Sequence, residues 1–128
     1  MLSENEVIKK YLGAPYNNNC WGLVKAVYAD LGFMLRDLSG NGREIADTRR
    51  ASFATDYWKE WTQVSIPELF DVALFLDERG VAVHAGIMLS NSYVLHACEK
   101  YGVINTRIGD LKGRKTFGGY FHLKARNG

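Results

Sequence analysis

Apolar residues in the first third of the chain recur at the spacing of amphipathic helices. Residues 4–12 follow a serine that can cap a helix, so this segment predicts a short first helix. Residues 20–31 predict a second, longer helix, with Asn18 or Asn19 as its cap and Gly32 as its end signal. The apolar positions on one face of that helix are Leu23, Val24, Val27, Tyr28 and Leu31. Both helices therefore have a face that must be covered by a core.

The second half of the chain has a different pattern, made of short apolar runs between turn-forming residues. These runs are residues 71–76, 81–89, 92–98, 102–107 and 119–124. Residues 33–42 contain two glycines, Gly40 and Gly42, and predict a loop, whereas residues 45–61 have a mixed polar and aromatic content that suits a further helix. Helices followed by a series of antiparallel strands predict an α+β fold.

Length and charge narrow the class of protein. A chain of 128 residues with 47% hydrophobic content is sufficient for one domain, which we expect to span residues 1–128. The net charge of +2 comes from 16 basic and 14 acidic residues without a concentrated basic stripe, so we expect no nucleic-acid partner. Residues 107–126 form the most basic stretch, and they suit either a solvated face or contact with an anionic polymer.

The cysteine content and the N-terminal sequence give two further expectations. Two cysteines without a Cys-x-x-Cys spacing make neither a disulfide framework nor a compact zinc motif, so both are expected to be free thiols. The N-terminal residues are acidic at the start and contain no continuous apolar run, so we expect neither a secretory signal nor a membrane span. The protein is therefore expected to be made in the cytoplasm.

Cys20 stands where a polar loop passes directly into the second predicted helix. Free backbone N–H groups and the positive end of the helix dipole favour a thiolate at this position. The position therefore predicts a nucleophilic cysteine, and His84 and His96 are candidates for its base and for the group that orients the base. His122 lies in a late alternating strand and is assigned a surface or structural role.

The two candidate histidines fall on consecutive predicted strands. A hairpin centred on the Ser-Asn-Ser turn places Gly86 opposite His96 and His84 opposite Cys98. Both histidines then share one face of the sheet, with nothing larger than glycine between them. A helix packed across that face would deliver Cys20 to His84, while His96 holds the other ring nitrogen. This is the arrangement of a nucleophile, a base and an orienting group.

Two other chemistries use the same atoms. Cys98 is an alternative nucleophile, although it lies in a strand and lacks a helix N-terminus beside it. Cys20, His84, His96 and Cys98 together also supply two sulfur and two nitrogen atoms, the ligand set of a tetrahedral zinc site. Their spacing matches no compact zinc finger, and the sequence pattern leaves both alternatives open.

Several segments resemble one known family. They are Gly13-Ala14-Pro15-Tyr16, then Asn19-Cys20-Trp21-Gly22-Leu23-Val24 with Tyr28, Asp71-Val72-Ala73-Leu74-Phe75, His84-Ala85-Gly86-Ile87-Met88 and Tyr93-Val94-Leu95-His96-Ala97. In this order, over roughly residues 10–110, they resemble the NlpC-type cell-wall cysteine peptidases, which have a papain-like fold. The resemblance implies N-terminal helices packed on an antiparallel sheet, with the nucleophile at a helix start.

The resemblance also implies roles for individual residues. Cys20 is the implied nucleophile, His84 the implied general base and His96 the residue that orients His84. Tyr16 is the implied oxyanion donor, acting together with the backbone N–H of Cys20. The chain departs from the family pattern in the short loop before Cys20, and Trp21 next to it either shapes a substrate pocket or packs in the core. The implied mechanism needs neither a metal nor a cofactor.

The function implied is hydrolysis of an amide bond in peptidoglycan stem peptides, through a thioester to the cysteine. Within the family, this chain resembles small members without an export signal, which look like those encoded with bacteriophage tail genes. The resemblance therefore implies tail proteins as partners and the virion as a location. A thiol acyltransferase or amidase on another amide or ester is the first alternative. A structural tail or assembly protein that keeps the fold without turnover is the second.

Overall fold

The computed structural model describes residues 2–16, 19–36, 60–78 and 82–127. Its helices are α1 (Glu4–Tyr11), α2 (Cys20–Asp30) and α3 (Ile108–Lys112). Its strands are β1 (Trp61–Val64), β2 (Val72–Leu76), β3 (Ala82–Met88), β4 (Tyr93–Cys98), β5 (Gly102–Arg107) and β6 (Thr116–Leu123). Short 3₁₀ turns span Ser90–Ser92 and Lys124–Asn127. Within the described part of the chain, no helix is both long and apolar enough to cross a membrane.

The two N-terminal helices begin where the sequence predicts and end one residue earlier than predicted. Ser3 and Glu6 form a reciprocal capping box at the start of α1. Asn19 caps α2 by accepting a hydrogen bond from the Gly22 N–H at 3.1 Å. Gly32 follows α2 with a φ of +97°, a conformation in which a side chain would be strained. Local chemistry therefore fixes both ends of α2, and with them the position of Cys20.

All strand pairs are antiparallel, and the order across the sheet is β1-β6-β2-β3-β4-β5. Helices packed on such an antiparallel sheet make an α+β fold, as the sequence predicts. The predicted strands at 71–76, 81–89, 92–98 and 102–107 correspond to β2 to β5, and the last strand, β6, starts earlier than predicted. The sequence interpretation missed β1 and α3. Most of the proposed helix at 45–61 lies outside the described residues, and its last residue, Trp61, begins β1.

The sheet is buried on both faces. The larger core holds α1 and α2 against residues of β3 and β4, including Ala85, Ile87 and Leu95. A smaller core on the opposite face holds α3 against another set, including Phe75, Met88 and Val94. Each apolar side chain removed from water contributes about 1.5–3 kcal/mol, so both layers contribute to stability.

Two irregularities shape the end of the sheet at which Phe75 lies. The pairing of β2 with β3 passes from Phe75↔His84 to Leu76↔Ala82, which leaves Val83 as an extra residue on β3. Val83 is accordingly exposed, although simple alternation along a strand would place it on the same face as buried Ala85 and Ile87. The pairing of β2 with β6 also shifts between Leu74 and Phe75.

Candidate active site

Cys20 is the first residue of α2, and its sulfur lies against β3. Its side chain is 2% exposed, and the backbone N–H of Ala85 lies close enough to lower the pKa of the thiol. The Met88 N–H points to the β2 side of the strand, where it donates to the Asp71 carbonyl oxygen at 2.7 Å. Because N–H groups alternate along a strand, the Ala85 N–H points to the β4 side. There it meets the thiol of Cys20, one residue away from His84.

The pairing of β3 with β4 leaves room for this contact. The paired residues of β3 and β4 are Ile87↔Leu95 and Met88↔Val94, which is the hairpin register that the sequence predicts. The His84–Cys98 pair expected from the same register does not appear among these pairs. The Ala85 N–H lies near the sulfur of Cys20 in the part of β3 that precedes these two pairs.

The packing of α2 corrects one expectation. The sequence interpretation placed α2 across the face that carries His84 and His96, but α2 packs on the opposite face, against Ala85 and Ile87. His84 lies on the other side, with its ring centroid 6.1 Å from that of Phe75, a residue of the smaller core. The expectation was wrong because both faces are apolar, and alternation alone does not say which one the helix covers. The Cys20 sulfur therefore approaches the backbone of β3 from the Ala85 face.

The pKa of the Cys20 thiol is raised above its ordinary value because burial disfavours the charged thiolate. The nearby backbone N–H groups of Ala85, Trp21 and Cys20 itself oppose this shift in pKa, and the charge of Lys115 does so too. The helix N-terminus thus acts in the predicted direction, but burial outweighs it. The expected resting thiolate is corrected to a neutral thiol, which needs a base to remove its proton.

His84 and His96 form a buried pair. The Nε2 atom of His84 lies 2.9 Å from Nδ1 of His96, and Nε2 of His96 lies 2.9 Å from the Thr106 hydroxyl. Gly86 makes room for the pair, since a Cβ at Gly86 would lie 3.1 Å from the His96 Cβ. With Nε2 of His84 engaged, its Nδ1 is the ring nitrogen left to exchange a proton with a thiol. Thr106 was not among the residues selected from the sequence.

Both histidines are held neutral at pH 7. Burial, followed by the neighbouring His96 and Lys115, lowers the pKa of His84 to about 3. Burial, followed by Lys115 and Arg114, lowers the pKa of His96 to about 4. A neutral imidazole is the form that can accept a proton from a thiol.

Tyr16 and Trp21, selected from the sequence as oxyanion or substrate residues, have different surroundings. Tyr16 is partly buried, its ring centroid lies 6.2 Å from that of Tyr11, and its carbonyl oxygen accepts the Asn19 N–H. Trp21 is 5% exposed, packs against Trp61 and donates its indole N–H to the Arg36 carbonyl oxygen at 3.1 Å. These contacts favour the core-packing interpretation of Trp21 over the substrate-pocket interpretation.

The two alternative uses of the cysteines find less support in the geometry. Cys98 is a half-buried free thiol, and on β5 its partner is Gly102. In the described ranges, no group of three or more His, Cys, Asp or Glu side chains converges in the way that a metal ion requires. The alternative four-ligand set of Cys20, His84, His96 and Cys98 therefore does not assemble.

A second polar cluster lies away from Cys20 and involves His122. Nδ1 of His122 lies 2.6 Å from Oδ1 of Asp71, and the same oxygen accepts a hydrogen bond from Arg126 at 3.1 Å. The other Asp71 oxygen accepts the Glu68 N–H at 2.8 Å. The cluster connects the start of β2 to the end of β6, which confirms a structural role for His122.

Comparison with known proteins supports the fold. The chain is similar to the crystal structure of the NlpC/p60 domain of the peptidoglycan hydrolase SagA, with a TM-score of 0.59 and 18% sequence identity. The similarity covers 91% of this chain and 93% of that domain. No family model matches the sequence, and no curated protein matches it. The architecture is therefore that of the papain-like NlpC/p60 fold, as the sequence resemblance implied.

Proposed function

We propose that this protein is a cysteine hydrolase that cleaves an amide bond in peptidoglycan stem peptides. The observation that carries the proposal is the position of the Cys20 thiol, which lies at the start of α2 and near the backbone of Ala85, the residue next to His84 of the buried His84–His96 pair. The fold similarity to a domain of a peptidoglycan hydrolase supports this substrate class. The sequence resemblance to the cell-wall cysteine peptidases points to the same class.

In the proposed acylation step, Nδ1 of His84 removes the thiol proton of Cys20 as the sulfur attacks the scissile carbonyl carbon. His96 holds Nε2 of His84, so the base keeps its orientation. The developing oxyanion is bound by the Cys20 backbone N–H and, in this proposal, by the Tyr16 hydroxyl. The C–N bond then breaks, and the leaving amine takes the proton from His84. The product is a thioester on Cys20.

In the proposed deacylation step, a water molecule gives a proton to His84 and attacks the thioester carbon. The C–S bond breaks, the carboxylic acid is released, and the proton on His84 returns to the sulfur of Cys20. Because the pKa of the Cys20 thiol is raised, the released sulfur readily takes up this proton, and the resting thiol is restored. In this scheme His84 takes part in every proton transfer.

We further propose that the protein acts with bacteriophage tail proteins and reaches the cell wall as part of the virion. This part of the proposal depends on the sequence resemblance to small members encoded with tail genes. It is independent of the chemistry at Cys20, and it is tested separately by detecting the protein in purified virions.

The chemistry is tested with a synthetic stem peptide and three proteins: wild type, Cys20→Ala and Cys98→Ala. We expect wild type and Cys98→Ala to release the amine product, and Cys20→Ala to lose at least about 10³-fold of the activity. Hydroxylamine added to the wild-type reaction should give the hydroxamate, because it intercepts a thioester. Full activity in Cys20→Ala would contradict the proposal. Transfer to an added amine with no hydrolysis would assign an acyltransferase instead.

A further inference from the structure

The segment between α1 and α2 is hydrogen-bonded to the outer edge of β5. The N–H of Gly13 donates to the Val103 carbonyl oxygen at 2.8 Å, and the N–H of Val103 donates to the Ala14 carbonyl oxygen at 2.9 Å. Gly13 has a φ of +85°, so two residues of the segment oppose one residue of β5 in the form of a glycine bulge. Among the described strands, β5 is the last in the sheet order. The Gly13–Ala14 segment therefore extends the sheet beyond β5 by one bulged contact.

Backbone hydrogen bonds continue from this contact to the start of α2. The N–H of Tyr16 donates to the Ala14 carbonyl oxygen at 3.0 Å, and the N–H of Asn19 donates to the Tyr16 carbonyl oxygen at 2.8 Å. Asn19 caps α2, whose first residue is Cys20. The position of Cys20 is therefore tied through the backbone to the outer edge of β5.

The residues on this path also pack on the core that buries the nucleophile. Ala14 and Tyr16 are partly buried against the larger core, which contains Cys20, Ala97 and Val103. Side chains in a close-packed core do not move independently of one another. A shift of the Gly13–Ala14 segment would therefore reach Cys20 through packing as well as through the backbone.

Gly102 makes the close approach of the segment to β5 possible. It has a φ of +75°, and a Cβ at this position would lie 2.6 Å from the Ala14 carbonyl oxygen. That distance is too short for a carbon and a backbone oxygen, so a side chain would push the segment away from β5. A strand glycine of this kind marks a place where another backbone comes close.

The same strand also holds the histidine pair. The Thr106 hydroxyl of β5 lies 2.9 Å from Nε2 of His96, and His96 in turn contacts His84. The Gly102 end of β5 thus holds the path to the nucleophile, while Thr106 contacts the partner of the proposed base. One strand therefore sets the positions of both halves of the candidate active site.

We propose that Gly102 is a positioning residue of the candidate active site. It lets the Gly13–Ala14 segment dock on β5, and the docked segment holds Cys20 where its proton can pass to His84. This inference rests on the proposed function, since it concerns the same nucleophile and base. The docked segment also keeps the Cys20 side chain at its 2% exposure.

The first test compares Gly102→Ala with its matched control, Gly32→Ala. Gly32 also has a positive φ, +97°, but a Cβ there would meet no atom within 4 Å, and it follows the other end of α2. Both variants therefore strain the backbone, and only Gly102→Ala displaces the segment. We expect Gly102→Ala to lower kcat on a synthetic stem peptide by about 10-fold to 100-fold with KM changed less than about 3-fold, and Gly32→Ala to stay within about 2-fold of wild type. Equal losses in both variants, or no loss in Gly102→Ala, would overturn the proposal.

The second test does not need turnover, so it separates this proposal from the proposed function. In a Cys98→Ser background, iodoacetamide alkylates the Cys20 sulfur with loss of iodide. Displacement of the segment should expose the sulfur, so we expect Gly102→Ala to raise the alkylation rate by about 3-fold to 10-fold and Gly32→Ala to leave it unchanged. An unchanged rate in Gly102→Ala, or an equal rise in both variants, would contradict the docking role. If no protein cleaves the peptide but the alkylation rates differ as expected, the hydrolase function fails and the positioning of Cys20 by the segment remains.

A further variant keeps the proposal testable if Gly102→Ala does not fold. Gly13→Ala adds a Cβ that meets no atom within 4 Å, but it strains the bulge residue itself at its φ of +85°. We expect kcat to fall and the alkylation rate to rise, each by about 3-fold. Values equal to those of Gly32→Ala in both measurements would overturn the proposal.

Discussion

Nε2 of His84 lies 2.9 Å from Nδ1 of His96, and the two rings meet edge to face at an interplanar angle of 85°. Two neutral imidazoles in this contact share one hydrogen, so one ring donates and the other accepts. If His84 donates from Nε2, its Nδ1 is unprotonated and can act as a base. His96 then carries its own proton on Nε2, where the Thr106 hydroxyl accepts it. The contact therefore couples the protonation of the proposed base to a second histidine and a threonine.

Replacement of His96 tests the orienting role. His96→Ala should lower kcat on a stem peptide by about 10²-fold, because His84 would lose the partner that fixes its ring. His96→Asn keeps a polar group at this position and should retain more activity than His96→Ala. The measurement is kcat for both variants, with thermal unfolding to verify that they fold. Equal activity of His96→Ala and wild type would contradict the role.

Thr106 is expected to act through His96 as a positioning residue. Thr106→Val removes the hydroxyl 2.9 Å from Nε2 of His96 and leaves that buried nitrogen without its partner, so kcat should fall by about 10-fold. Thr106→Ser keeps the hydroxyl and should restore most of the rate. A loss of similar size in both variants would indicate that the methyl group, not the hydroxyl, matters.

The buried histidine pair should make stability depend on pH. In the unfolded chain a histidine takes up its proton near pH 6.5, whereas the folded-state pKa values of His84 and His96 are about 3 and about 4. Between these limits the unfolded chain binds more protons, so the free energy of unfolding falls as pH decreases below about 6.5. From pH 7 to pH 4.5 we expect a loss of at least about 2 kcal/mol.

The double variant His84→Gln, His96→Asn is the control for this pH effect. It lacks both groups and should show a shallower fall in the free energy of unfolding, measured by urea denaturation at each pH. Parallel curves for the variant and wild type would assign the pH dependence to other residues.

Asp71 is expected to contribute to the stability of the fold and not to catalysis. Its side chain is fully buried and is hydrogen-bonded by Glu68, His122 and Arg126. Asp71→Asn should lower the free energy of unfolding by about 3–5 kcal/mol, because buried charged partners lose their counter-charge. The exposed Asp110→Asn is the matched control and should cost less than about 1 kcal/mol. A stable Asp71→Asn protein would show that the cluster tolerates loss of the charge.

Features that depend on neighbouring residues in the sequence could be predicted well. The Asn19 cap and the Gly32 end of α2 follow from residue types that favour those positions. The hairpin register follows from a turn in which Asn91 has a φ of +59°, a conformation that asparagine tolerates. These local features placed Cys20, His84 and His96 in the right elements.

Features that depend on distant packing could not be predicted in this way. Both faces of β3 are apolar, so the pattern did not decide that α2 covers the Ala85 face. Burial raises the pKa of Cys20 against the helix terminus, and burial is a property of the whole fold. Thr106 reaches the site through β5, and no local signal in the sequence marked this residue.

The most direct measurement is the digestion of purified peptidoglycan by wild type and by Cys20→Ala, with the released fragments identified by mass. The account predicts peptide fragments from wild type alone, all produced by cleavage of one kind of amide bond. Identical fragments from both proteins, or none from either across several wall chemistries, would contradict a Cys20-dependent wall hydrolase.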